Sequence, residues 1–451
     1  MPEQPENHVY KKVSRLTEVG ILRMLFEASE NTRAPCCRRS ILLLQGPVGP
    51  FFSELEGALR ADGHLVRRIA FNAGDSLFSS RVHRPKRLSL NLTEWESWLR
   101  FELSCNPTDC IVLFGSSRPA HKIARQIAQQ FNTKVLSLEE GYLRSGYVTA
   151  ELDGNNQHSS LTSWKPKNHQ PIDADSIPAP MALPSSFVAM SVWGAIYYLV
   201  RDVFSTASDE YLFHRSSERV VPLAWRWCSH MARRGVARIT EFSAQRDLRR
   251  KPNYILVPLQ VSNDSQIQLA ARGWNAQKLV DACLNSLAKA DAHQRVVFKL
   301  HPLERKNALI TRLIHRKAKS LGLGRERFAV VNSGRIGELT VRSSGMVVIN
   351  STSGFSALHH NKPLLVLGDA VFRHDEIATT GNSKEDIRIF FQHRQAKASD
   401  VIEQFFDTLK SQCLVPGDFY VAAGRKTAVQ HIIRKLEQLP LSYANIKEAN
   451  V

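Results

Sequence analysis

Cysteine is scarce in this chain and follows no pattern. Seven cysteines (Cys36, Cys37, Cys105, Cys110, Cys228, Cys283 and Cys413) are spread over 451 residues. The number is odd and no CxxC pair occurs. That excludes a disulfide framework and a thiolate zinc site, and fits reduced, cytosolic usage. Sixteen histidines are present, but none sits in HExxH or another metal-ligand spacing. Long hydrophobic runs are missing too. The longest, Phe187 to Val200, has 14 residues, too few to span a bilayer. The polar N-terminus carries no secretory apolar segment. Acidic residues are in deficit, 42 against 60 Lys and Arg, which leaves a net charge of +18. Such a balance suits nucleic acid, an acidic membrane surface or phosphorylated substrates, or serves solubility alone. There is no RNP motif, zinc finger or basic heptad region, so nucleic acid is not an expected partner.

What is present is an alternation of short apolar strands with amphipathic helices. Hydrophobic residues make up 43% of the chain, a globular proportion, and the length fits two domains. In the first half, strands are expected at 41–45, 65–71, 110–114 and 135–138, with helices at 51–62, 94–103 and 119–131. The alternation breaks over 151–185, a loop or linker rich in Asn, Ser, Pro and His. It resumes at Tyr254 after a mainly helical stretch. Strands are then expected at 254–259, 295–300, 328–331, 346–350 and 363–367. This pattern predicts α/β architecture with two doubly wound, Rossmann-like domains facing a cleft. The expected boundaries are an N-terminal extension at 1–40 with a short helix at 22–28, a first domain at 41–185, a helical linker at 186–250 and a second domain at 251–451. Ligands in such sheets bind beyond the carboxyl ends of the strands.

The chemistry-bearing residues fall at those strand ends. Gln45-Gly46-Pro47 follows the first strand, where glycines let backbone approach a ligand and the next helix offers unpaired N–H groups. Asn72 and Asp75 follow the second. Glu139-Glu140-Gly141-Tyr142, with Arg144 close behind, ends a later strand. Neighbouring carboxylates repel, so one of the pair is a candidate acid or base; the same residues would also suit a solvated turn paired with Arg144. In the second half, Lys299 and His301 share one side of a strand end, where His301 could donate to a phosphate. Asn350-Ser351-Thr352-Ser353-Gly354 opens a helix and forms either an anion cradle or a simple cap. Gln260, Asp264 and Ser265 follow the first strand of the second half.

At these residues the chain resembles the capsule polysaccharide biosynthesis family of bacterial Kdo transferases, the KpsS/LipB type. The matching stretches are LLLQGPVGPFF (42–52), RIAFNAGD (68–75), LEEGYLRSGYVTAE (138–151), VPLQVSNDSQI (257–267), KLHPLER (299–305) and INSTSGFSALHHNKP (349–363). The Glu-Gly and His-Pro pair is also similar to that of bacterial sialyltransferases. The sequence departs from the family pattern at Gly115-Ser116-Ser117-Arg118, where an acidic residue usually follows the glycine. The resemblance implies a GT-B-like fold and retaining transfer of β-Kdo from CMP-Kdo, with no separate cofactor, to a phosphatidylglycerol-type lipid in capsule linker biosynthesis and export. It implies Glu139, Glu140 and His301 as catalytic residues. Lys299, Gln260, Asp264, Ser265 and Asn350 to Gly354 would hold the donor. Gln45, Gly46, Pro47, Asn72, Asp75, Tyr142 and Arg144 would line the acceptor side or the cleft. If retention uses two displacements, the attacking carboxylate is one of the glutamates or Asp264. Expected partners are the CMP-sugar, a phospholipid acceptor, other capsule assembly and export proteins, and an anionic inner-membrane surface that the cytoplasmic protein would meet peripherally. The competing readings are transfer of another nucleotide sugar (CMP-sialic acid or a UDP-sugar) and a non-catalytic protein that binds anionic lipid or sugar nucleotide.

Overall fold

The computed structural model describes residues 38–440 apart from 80–81, 144–145, 167–176, 215–218, 223–224, 226–228, 230–241, 262–269, 302–303 and 305. The helix expected at 22–28 lies outside these residues. The first sheet holds β1 (Ser40–Leu43), β2 (Leu65–Ala70), β3 (Lys86–Arg87), β4 (Cys110–Phe114), β5 (Lys134–Glu140) and β6 (Tyr147–Leu152). The second holds β7 (Tyr254–Pro258), β8 (Arg295–Lys299), β9 (Phe328–Val331), β10 (Ser343–Val348), β11 (Leu364–Val366) and β12 (Thr379–Thr380). A last strand, β13 (Leu414–Pro416), returns to the first sheet. The orders are β13-β6-β5-β4-β1-β2-β3 and β12-β11-β10-β7-β8-β9.

Both sheets are buried on two faces, which is why their strands read as unbroken apolar runs. Ile41 and Leu43 face one core, while Leu42 and Leu44 face another. Leu256 and Val257 divide in the same way in the second sheet. The second sheet is parallel throughout. In the first sheet, β6 runs antiparallel to both β5 and β13. The α/β class with two wound sheets expected from the alternation is the one observed, and it agrees with the GT-B-like arrangement that the resemblance implies. Each sheet reverses its winding once, between β1 and β4 in the first and between β7 and β10 in the second.

Two expected boundaries need correction. The segment 251–451 does not stay in the second domain. Leu414 pairs with Thr149, and the helix Ala422–Glu437 packs Ala428, Ile432 and Leu436 onto the core of the first sheet. The returning segment shares this apolar face of the first sheet with the helix Phe51–Ala61, whose Phe51, Phe52, Leu55 and Leu59 join the same core. Nor is the start of 186–250 a free linker. The helix Phe187–Phe204 lies on the first domain, with Tyr197, Tyr198 and Arg201 buried beneath it. The two halves share one continuous core, in which Tyr142, Tyr147 and Trp164 join Tyr254, Val348 and Phe355.

Candidate active site

The carboxyl edge of the second sheet gathers the expected donor residues. β7, β8 and β10 are neighbours, so Gln260, Lys299, His301 and Asn350 emerge side by side. The Asn350 N–H points to Gln260 Oε1 at 3.5 Å, across the point where the winding reverses. That is where open α/β sheets take ligands. A cavity of about 420 Å³ opens there, lined among others by Gln260, Asn275, Lys306 and Ile349. Strand alternation puts Lys299 and His301 on the face of β8 that carries Val297, and Val297 belongs to the core shared with Tyr142 and Phe355. Lys299 is nearly buried. Its ammonium donates to the Leu300 and Asn332 carbonyls at 3.1 and 2.8 Å. The His301 carbonyl accepts from Asn307 Nδ2 at 3.2 Å and from the Glu304 N–H at 3.1 Å, which ties down the strand exit. Asp264 and Ser265 lie outside the described residues.

The expected N–H cradle after β10 is only partly offered. The Gly354, Phe355 and Ser356 N–H groups are spent on the Ser351, Thr352 and Ser353 carbonyls. The helix that follows, Gly354–His359, is six residues long, so little dipole accumulates. What remains is a hydroxyl surface. Ser351 Oγ bonds Ser353 Oγ at 3.2 Å, and Thr352 is exposed. Gly354 is required by packing, because a Cβ there would sit 2.6 Å from the Phe372 ring.

On the first sheet the acidic pair is split. Adjacent strand residues point to opposite faces, and Glu139 and Glu140 pair with Thr149 and Val148 in a regular ladder. Glu139 Oε2 accepts from Asn156 Nδ2 at 2.9 Å. Glu140 Oε1 accepts from the Tyr420 hydroxyl at 2.7 Å. The two carboxylates thus point to opposite faces of the strand, and each accepts from its own donor. Both remain half-exposed at the strand end. Burial, and then the carboxylate beside it, hold the Tyr420 phenol well above its ordinary range, so it stays a donor. Arg144 lies outside the described residues. Tyr142 is buried; it donates to Glu151 and accepts from the Asn156 N–H.

The other acceptor-side candidates come together but are sealed. Gln45 Nε2 donates to both Asp75 carboxylate oxygens, at 3.2 and 3.0 Å. The Tyr197 hydroxyl donates to Asp75 at 3.0 Å, and Asn72 Nδ2 donates to Tyr197 at 2.8 Å. Burial pushes the Asp75 carboxyl up, against four stabilising contacts. The glycines of this loop admit side chains rather than a ligand. Gly46 lies under the Phe52 ring, and Gly49, at φ +106°, lies under Trp193. Gln45, Gly46, Pro47, Asn72 and Asp75 therefore form the floor beneath the helix Phe187–Phe204 and not an open cleft wall.

A chain of contacts joins the two edges. Glu139 and Tyr142 share Asn156, and the Tyr142 ring centroid lies 5.9 Å from that of Phe355, the last residue of the NSTSGF segment. From Glu140 the line continues through Tyr420. Beyond it, Arg118 Nη1 donates to Gln45 Oε1 at 2.8 Å.

Residues 109–420 match the model of a family described as capsule polysaccharide biosynthesis protein. The chain belongs to the capsule polysaccharide biosynthesis family. It is 33% identical over 339 residues to the capsule polysaccharide export protein KpsS of Escherichia coli, covering 74% of this chain and 86% of that one. It is 30% identical over 363 residues to the capsule polysaccharide modification protein LipB of Neisseria meningitidis serogroup B, covering 78% and 83%. Among solved structures it is similar to the Thermosulfurimonas dismutans KpsC β-Kdo 2,7-transferase, with 12% identity, a TM-score of 0.38, and 88% and 99% coverage.

The span matched by the family model takes in Glu139 to Tyr142, Lys299 to His301, Asn350 to Gly354 and Tyr420, and leaves out Gln45, Asn72 and Asp75. Sequence reading missed three residues of the edge. Tyr420 reaches Glu140 from 280 positions away, with no motif around it. Asn156 stood in a segment read as loop, though its position just after the acidic motif was a usable signal. Arg118 was visible only as a departure from the family pattern.

Proposed function

We propose that this member of the family is a retaining glycosyltransferase that moves β-Kdo from CMP-Kdo to a phosphatidylglycerol-type lipid acceptor, building the linker of a capsular glycan. The observation that carries the reading is the Tyr142–Phe355 contact, which brings the acidic strand end of one sheet against the hydroxyl-rich strand end of the other. Transfer breaks the bond between the anomeric carbon and the CMP phosphate oxygen. An acceptor hydroxyl oxygen then bonds that carbon and its proton goes to a carboxylate. Positive charge develops on the sugar ring while the phosphate leaves as an anion, so the two need opposite surroundings. In this reading Gln260, His301, Ser351 and Thr352 hold CMP at the second switch point, with Lys299 bracing the strand end beneath them. Glu140, held by Tyr420, takes the acceptor proton or faces the ring. Retention by two displacements needs a carboxylate that attacks first, a part open to Glu139, Glu140 and Asp264.

The test uses CMP-Kdo generated in situ, a fluorescent phosphatidylglycerol analogue and product mass. A product heavier by one Kdo is expected, with none from CMP-sialic acid. Transfer from CMP-sialic acid or a UDP-sugar alone would overturn the donor assignment. Wild-type turnover in both Glu139→Gln and Glu140→Gln would end the role of the acidic motif.

A further inference from the structure

The helix Phe187–Phe204 has an outer face that nothing described covers. Val188, Val192, Ile196, Leu199 and Val203 are exposed, Val188 by 70% and Val203 by 62%. At 100° per residue, the spacings of 4, 4, 3 and 4 confine these five side chains to a stripe about 80° wide. The stripe runs roughly 22 Å at 1.5 Å per residue. The 14-residue apolar run seen in the sequence understates this surface. Arg201 and Asp202 interrupt it, but they bond each other at 2.6 Å and turn away, so the stripe continues to Val203, with the exposed Phe204 beside it. By length and composition the helix could cross a bilayer, with a mean hydropathy of 1.3 over 18 residues. Its inner face prevents that. Tyr197 bonds Asp75, and Trp193 Nε1 donates to the Tyr420 carbonyl at 3.2 Å, so the helix is fastened lengthwise to the first domain.

Basic groups gather where the stripe ends. Arg87 Nη2 donates to the Phe204 carbonyl at 3.1 Å. Arg84 and Lys86, on the same segment, are exposed. Val82 beside them is 82% exposed. An apolar stripe edged by cations, on a chain of net charge +18, complements an anionic bilayer surface. We infer that the helix Phe187–Phe204 lies in the headgroup plane of a membrane containing anionic phospholipid, with its apolar stripe in the acyl boundary and the 82–87 segment on the headgroups. The inner face, through Trp193, then rests on Tyr420, whose hydroxyl holds Glu140. A lipid acceptor rising from the bilayer at this helix would meet that edge; this last link rests on the proposed transfer, while the docking does not.

The experiment is vesicle co-sedimentation of the full chain, without any sugar donor. Vesicles of phosphatidylglycerol and phosphatidylethanolamine are compared with phosphatidylcholine vesicles. The wild type should sediment with the anionic vesicles. Val192→Asp/Leu199→Asp/Val203→Asp should lower the partition coefficient at least tenfold while keeping the wild-type thermal midpoint, since all three side chains are exposed. Arg84→Ser/Lys86→Ser should lower it by about fivefold per charge, the equivalent of about 1 kcal/mol each. Wild-type sedimentation of the triple variant would overturn the inference, as would wild-type protein remaining in the supernatant. Equal binding to phosphatidylcholine would overturn the anionic requirement. A dimer that the triple variant converts to monomer, with no vesicle binding, would assign the face to a second copy instead. Failure of sugar transfer leaves each of these outcomes readable.

Discussion

Removing one oxygen, by Tyr420→Phe, separates the work of Glu140 from its mere presence. The ring is held independently of its hydroxyl. The Tyr420 N–H donates to Asp418 Oδ1 at 2.6 Å, its carbonyl accepts from Trp193 and Arg425, and its ring packs beside Phe419. Phenylalanine therefore keeps the fold and leaves Glu140 without its 2.7 Å donor. A hydrogen bond to a charged group contributes about 1.5–3 kcal/mol. If that bond aims the carboxylate in the transition state, kcat falls by roughly 10- to 150-fold at ~1.4 kcal/mol per decade, and KM for CMP-Kdo hardly moves. Thermal stability should drop by no more than about 3 kcal/mol, because Glu140 is half-exposed and water can replace the lost donor. The assay is CMP release with the lipid acceptor, run on Tyr420→Phe, Glu140→Gln and the double variant. Because the two groups act as a unit, the double variant should be scarcely slower than Glu140→Gln alone. Fully additive losses, or a wild-type kcat for Tyr420→Phe, would refute the idea that Tyr420 positions a working Glu140.

Two further outcomes test the frame around the site. His121 is wholly buried with Nδ1 3.0 Å from the Gly115 carbonyl, and burial, then the Arg118 charge, push it down to about 3. Its folded pKa lies below its ordinary 6.5, so the unfolded chain binds the extra proton. The stability it contributes is full above that value and is lost as pH falls towards 3. Between pH 6.5 and 4.5 the loss is roughly 2–3 kcal/mol, and urea midpoints of His121→Gln should lack that component; equal acid sensitivity of the two proteins would contradict it. Gly354→Ala should cost about 1–3 kcal/mol by overpacking, because its Cβ would meet the buried Phe372 ring at 2.6 and 2.7 Å. An unchanged midpoint in urea unfolding would show that the ring yields freely.

The strands were legible wherever an apolar run is buried on both faces, as at Cys110–Phe114 and Tyr254–Pro258. β6 was not legible, because Tyr147–Leu152 buries Thr149 and Glu151 among its apolar residues. Glu151 is tolerated there through donors from Tyr142, Ser159 and, 262 residues away, Cys413. No local pattern announces such a partner. The site followed the same divide. Glu139, Lys299 and Asn350 could be read because strand ends are where this architecture places ligands. Tyr420 could not, because the returning C-terminal segment delivers it. Nor could the sealing of Gln45 and Asp75, because that depends on which face of a distant helix lands on them. This sealing decides between two sheets that are wound alike. At the first switch point Phe52, Trp193 and Tyr197 occupy the space a ligand's phosphates would need, and Gln45 and Asp75 satisfy one another. At the second, Gln260 and Ile349 border an open cavity. Two sheets of equal winding thus differ at their switch points among the described residues: side chains fill the first, and the second borders open space.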